Sequence, residues 1–105
     1  MTLTFDIGAE FGSLCADGDA AAQFREARID PYVGITDLIV LDFAGVRNAN
    51  TSFCNALIAN LMVVHGQEVL QKLRFAHCRE NVKVLLCAAL DLGNQIAGER
   101  RAVIA

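Results

Sequence analysis

The chain has 105 residues, a net charge of −3 and a sequence pI near 5.2. That length holds one domain, and Leu, Ile, Val and Phe, about a third of the residues, place it well clear of the roughly 20% below which chains stay disordered. A cleft between two lobes is excluded. So is a basic stripe for nucleic acid, because the cations are scattered apart from the doublet Arg100-Arg101, which reads as a solvated tail.

Thr2–Ile7 alternates polar and apolar residues and predicts a strand with Leu3, Phe5 and Ile7 on one face. Gly8 and Gly12 then punctuate the chain, leaving room for at most a short second strand in Phe11–Cys15. Ala16-Asp17-Gly18-Asp19 is turn chemistry, with Asp17 or Asp19 placed to cap a helix over Ala20–Ile29. Good helix formers fill that segment, and Ala21, Phe24, Ala27 and Ile29 form its inward stripe up to Pro31.

Asp37–Phe43 contains four consecutive large apolar residues, Leu38–Leu41, the pattern of a central strand buried on both faces. The strand ends at Asp42, and a polar stretch from Arg47 to Ser52 opens the next helix, about Thr51–His65. Phe53, Leu57, Leu61 and Val64 give it a core stripe, and Gly66 stops it, with His65 placed to interact with the last turn. After a connecting segment, Gln67–Lys72, come a strand at Leu73–His77 and a helix at Val82–Leu92 closed by Gly93. The last dozen residues read as peripheral, so the expected core spans residues 2–92 and the tail 93–105.

Strands alternating with helices favour an α/β fold with parallel central strands. The expectation is a mixed sheet of about four strands carrying about three helices.

The four cysteines lack metal-ligand spacing with each other and with His65 and His77, so they read as buried free thiols suited to a reducing cytoplasm. His77 and Cys78, adjacent on a strand, would point to opposite faces. No metal and no cofactor is expected: phosphate loops, dinucleotide fingerprints, zinc-protease helices and nucleophile elbows have no counterpart here. The longest apolar runs, such as Val84–Leu90, fall far short of the about 18 residues a membrane span needs. The first residues carry no basic segment of a signal peptide.

One loop stands out. It follows the carboxyl end of the central strand, where open α/β sheets commonly hold functional groups, and it delivers the hydroxyls of Thr51 and Ser52 to a helix start. The run Leu38–Val46 followed by Asn50-Thr51-Ser52-Phe53 resembles the STAS-like domains of unknown function, relatives of the STAS domains of anti-sigma factor antagonists and sulfate transporters. The likeness covers roughly residues 2–92 and is sharpest over 38–66.

The resemblance implies a non-catalytic module that binds another protein. In the antagonists the matching position is a serine phosphorylated by a histidine-kinase-like ATPase, which places the acceptor at Ser52 with Thr51 beside it. Asn50 stands where those proteins carry an acidic residue, and Phe53 where they carry glycine. Candidate contact residues are therefore Asn48, Asn50, Thr51 and Ser52, with Asp42 supporting the loop through its N–H groups. Competing readings are a nucleotide- or small-ligand-binding module, an accessory subunit of an enzyme complex, and self-association through a strand edge or the final helix.

Overall fold

In a computed structural model of the chain, residues 1–104 are described, with side chains through Glu99; the side chains of Arg100 and Arg101 thus lie outside the described residues. Strand β1 (Thr2–Asp6) leads into a short helix α1 (Ile7–Phe11) and a two-residue strand β2 (Leu14–Cys15). Helix α2 (Gly18–Phe24) continues through a wide π turn (Arg25–Ile29) and a 3-10 segment (Asp30–Ile35) to β3 (Leu38–Asp42). Strand β4 (Asn48–Ala49) precedes α3 (Thr51–Cys54), which runs through a second π turn (Asn55–Ala59) into α4 (Asn60–His65). A 3-10 turn (Gln67–Gln71), β5 (Leu73–Ala76) and the long α5 (Glu80–Ile104) complete the order.

The chain is α/β, but the four-stranded mixed sheet is not what forms. The main sheet has three strands in the order β1-β3-β5, and a separate two-stranded ladder joins β2 to β4. All of these pairings are parallel. The short second strand is diverted because Arg47 and Asn48 donate their backbone N–H groups to Ser13 and Asn50 donates its own to Cys15, which ties β2 to the loop before α3.

The register places Leu3, Phe5, Ile39, Leu41, Leu73 and Phe75 on one face of the sheet. Phe5, Ile39, Leu41 and Leu73 join the buried core with residues of the helices. The opposite face carries Thr2, Thr4 and Arg74, all exposed, around the half-buried Leu38, Val40 and Ala76. The central strand is therefore fully covered on one side only. Its unbroken apolar run still fits, because Leu38 and Val40 are half-buried even on the open face.

Three local predictions shift for physical reasons. Residues 7–11 are helical because Asp6 caps them, accepting from Ala9 N at 3.0 Å. That turns Phe11 inward to meet the rings of Phe24 and Phe53 edge-on at 5.3 and 4.9 Å. The π turn at Arg25–Ile29 adds a residue to the helical repeat, so Arg25 rather than Ala27 faces inward. The π turn at Asn55–Ala59 does the same in the next helix, exposing Val64 and burying Ala59.

Helix α5 does not close at Gly93. A Cβ there would sit about 3.0 Å from the Ala59 backbone and 2.9 Å from Met62 Sδ, so α5 crosses the preceding helix closely at Gly93. The glycine serves helix packing instead of helix termination, and Ala97, one turn further, is still buried.

Candidate functional site

The carboxyl ends of the three parallel strands lie along one edge, where the predicted site residues gather. Asp42, the last residue of β3, accepts a hydrogen bond from Ala44 N at 2.9 Å and meets His77 Nδ1 at 3.0 Å. The Ala44 N–H first, and His77 second, hold the Asp42 carboxyl below its usual range. Asp42 thus fastens the start of the loop to the end of β5.

Asn48 and Asn50 are occupied within the fold. Asn48 Oδ1 accepts from Asn81 Nδ2 at 2.6 Å, and the same amide reaches Arg47 O at 2.9 Å, which pins the loop to the first turn of α5. Asn50 works in two directions. Its Oδ1 caps α3 by accepting from Phe53 N at 2.8 Å, and its Nδ2 donates to Ala16 O at 2.9 Å. An aspartate at this position would keep the cap but lose the donor.

Thr51 and Ser52 are exposed in the first turn of α3, while Phe53 beside them is fully buried. Ser52 does not stand alone. A Cβ on Gly18 would overlap Ser52 Oγ, so the first turn of α2 lies directly against this hydroxyl. Asp17 caps α2 through Ala20 N at 3.1 Å, and Asp19 follows it. Two helix N-termini, each capped by the side chain that precedes it, meet at this one exposed serine. The sequence marked both helix starts, but a long-range contact from residue 18 to residue 52 leaves no trace in local patterning.

At the far ends of the same helices lies a group that sequence reasoning missed. Arg25 is 4% exposed. Its Nε donates to Ala56 O at 2.9 Å, inside the second π turn, and its Nη1 donates to Asp30 Oδ2. The other carboxylate oxygen of Asp30 meets His65 Nε2 at 2.8 Å. His65 therefore bridges to Asp30 instead of serving the last turn of its own helix. The only local signal for this network was an Arg one residue after Phe24 in an apolar stripe.

The thiols divide by position. Cys15 and Cys54 are buried, Cys78 is half-buried and Cys87 is exposed on α5, where burial was expected. Burial pushes the Cys54 thiol up to about 11, and it also raises Cys15 and Cys78. His77 leaves the strand with φ 57, an uncommon conformation for a residue other than glycine. That turn brings His77 and Cys78 into one groove beside α5 rather than onto opposite faces.

Among the described residues, no cluster of three or more His, Cys, Asp or Glu side chains is arranged to hold a metal ion. No described helix is long and apolar enough to cross a membrane.

No curated protein and no solved structure matches the chain significantly. Residues 20–83, from the first turns of α2 to the first turn of α5, match the family described as STAS-like domain of unknown function (DUF4325). That match spans more than half of the sequence and includes β3, the Asn48–Ser52 loop and both π turns, and the chain belongs to this STAS-like family.

Proposed function

We propose that this domain is a regulatory protein-binding module without chemistry of its own, working in the cytoplasm, and that Ser52 is its phosphorylation switch. The observation that carries the reading is the exposed Ser52, whose hydroxyl lies at the meeting point of α2 and α3. A phosphate there adds about −1.5 to −2 charges. The two helix N-termini favour those charges by roughly 0.3–1 kcal/mol each, so the fold tolerates the modification.

The surface changes more than the fold does. Asp17 and Asp19 already stand at the start of α2, and a phosphate on Ser52 would turn this corner strongly acidic. A partner that docks on the unphosphorylated corner is then repelled. Since Asn48 and Asn50 are held by internal hydrogen bonds, Thr51 and Ser52 are the side chains free to meet the partner. The partner class implied by the family resemblance is a histidine-kinase-like ATPase.

The test is to incubate the protein with such an ATPase encoded next to it, map the phosphosites by mass spectrometry and measure complex formation. Phosphate is expected on Ser52, with binding weakened about tenfold or more by Ser52→Asp and retained by Ser52→Ala. Phosphate found only elsewhere, or equal binding by both variants, rejects the switch.

A further inference from the structure

The two edges of the three-stranded sheet differ. Strand β5 forms one edge, and Arg74 Nη1 guards it by donating to Leu73 O at 2.8 Å and to Gln71 O at 3.2 Å. Strand β1 forms the other. Its run Thr2-Leu3-Thr4-Phe5 holds no charge and no proline. Its register against β3 is unbroken from Thr2 to Asp6, so no bulge turns it away. Native sheets seldom leave an edge without such a guard, because a bare row of N–H and C=O groups is a template for another strand.

The ladder fixes which groups of β1 are free. Ile39 N donates to Lys72 O and Phe43 N to Ala76 O, so the odd-numbered residues of β3 face β5. Leu38, Val40 and Asp42 therefore face β1. With Thr4 in register with Val40, the bonds of Val40 run to Leu3 and Phe5. Thr2 and Thr4, both exposed, turn their N–H and C=O groups outward. Among the described residues no hydrogen bond beyond the sheet reaches these groups.

This edge is complementary to itself in the antiparallel sense. With Thr4 on a two-fold axis, it lies opposite Thr4 of a second copy, and Thr2 lies opposite Asp6. The Thr4 pair exchanges two backbone hydrogen bonds and sets two hydroxyls side by side on the open face of the sheet. On the other face the half-buried Leu3 meets Phe5 of the second copy, an apolar pair. No like charges stand opposite each other along the strands. Beside the edge, Arg28 stacks over the Phe5 ring at 5.5 Å and meets Glu10 at 3.2 Å, so its charge is matched within one copy.

We infer that two copies of this chain pair β1 to β1 across a two-fold axis at Thr4, forming one six-stranded sheet. The outer strands are then the two β5 strands, each guarded by Arg74, so association stops at the dimer. One paired edge is a narrow contact, which makes the dimer weak and concentration-dependent. The inference does not rest on Ser52.

Sedimentation velocity of the 105-residue chain from about 10 µM to about 1 mM should show monomer passing into dimer. The Thr4 amide should gain protection from hydrogen exchange over the same range. Thr4→Lys sets two ammonium groups opposite each other at the axis, and Thr4→Pro deletes the N–H that the pair exchanges. Proline is tolerated where an edge-strand N–H faces solvent, so circular dichroism of both variants should match that of the native chain. Each variant should weaken the dimer about tenfold or more, and Ser52→Asp should leave it unchanged. A chain that stays monomeric at about 1 mM overturns the proposal and leaves the edge to a strand of another protein. It is equally overturned if both folded Thr4 variants dimerise as the native chain does, if protection appears along β5 instead of at Thr4, if association runs past the dimer, or if Ser52→Asp abolishes it.

Discussion

The two helical stretches beginning at Gly18 and Thr51 run side by side and touch at both ends, in opposite ways. At their starts the contact is exposed and neutral: Gly18 against Ser52, and the Asn50 amide to Ala16 O. At their far ends it is largely enclosed and built on an ion pair: buried Arg25 with half-buried Asp30, anchored to Ala56 O in a π turn, with His65 hydrogen-bonded to the other Asp30 oxygen. Removing one member of a buried ion pair costs far more than removing an exposed neutral hydrogen bond. One end therefore locks the helices together, and the other leaves a surface whose charge can change while the packing stays. A switch placed at the buried end would unfold what it was meant to regulate.

The largest test breaks the buried end. Arg25→Ala leaves the Asp30 carboxylate to His65 alone and Ala56 O without its arginine donor, and urea unfolding should show a loss of about 2–4 kcal/mol. A loss below about 1 kcal/mol would mean that the π turns are held by packing alone. Between the two ends the second helix is clamped by α5 at Gly93. Alanine is the better helix former by about 1 kcal/mol, yet its Cβ would press on the Ala59 backbone. Gly93→Ala should therefore lower stability, by about 1–3 kcal/mol, measured by the same unfolding. A stabilised Gly93→Ala variant would show that α5 can shift away from the helix it crosses.

These two residues also mark the boundary of what the sequence reveals. Elements written in local pattern were legible: the period-two strand at residues 2–6, the apolar run of β3, the Asn50 helix start and the Gly66 stop. Hydrogen-bonded wide turns were not, because a π turn changes which face a residue joins without changing composition. That is why the local pattern turns Ala27 inward and gives Arg25 no place in the stripe. Gly93 reads locally as a helix stop, and only the close crossing with Ala59 explains it. The loop residues were found from their place after a central strand. Their division into fixed amides and exposed hydroxyls depends on Ala16 and Asn81, which are 34 and 33 residues away from their partners.

The exposed end is sharpened by comparing substitutions on one turn. Asn50→Ala removes both the cap and the Ala16 contact and should cost about 1–2 kcal/mol. Asn50→Ser keeps a capping oxygen and loses only the bridge, so it should fall between alanine and the native residue. Ser52→Asp, two residues on, should stay within about 0.5 kcal/mol of the native stability. If Ser52→Asp proved as damaging as Asn50→Ala in thermal unfolding, the hydroxyl corner would be part of the lock, and its contrast with the Arg25 end would disappear.

The smallest expected effect lies at Asp42, where the loop begins. Donation from Ala44 N and the His77 contact depress its carboxyl in the folded state. A depressed carboxyl adds stability at pH values above its unfolded pKa of about 3.9, and that stability is lost as the pH falls through the folded value. Asp42→Asn removes the titration while leaving an oxygen to accept from Ala44 N. The native protein should therefore lose stability more steeply than Asp42→Asn below about pH 4, and the two curves should run parallel above about pH 5. Because Asp42 sits at the open edge, the difference should shrink as salt is added. Parallel curves throughout the acid range would show that the loop is held by Asn50 and Asn81 alone. The exposed end of the two helices would then depend on amide hydrogen bonds, with no charge at its base.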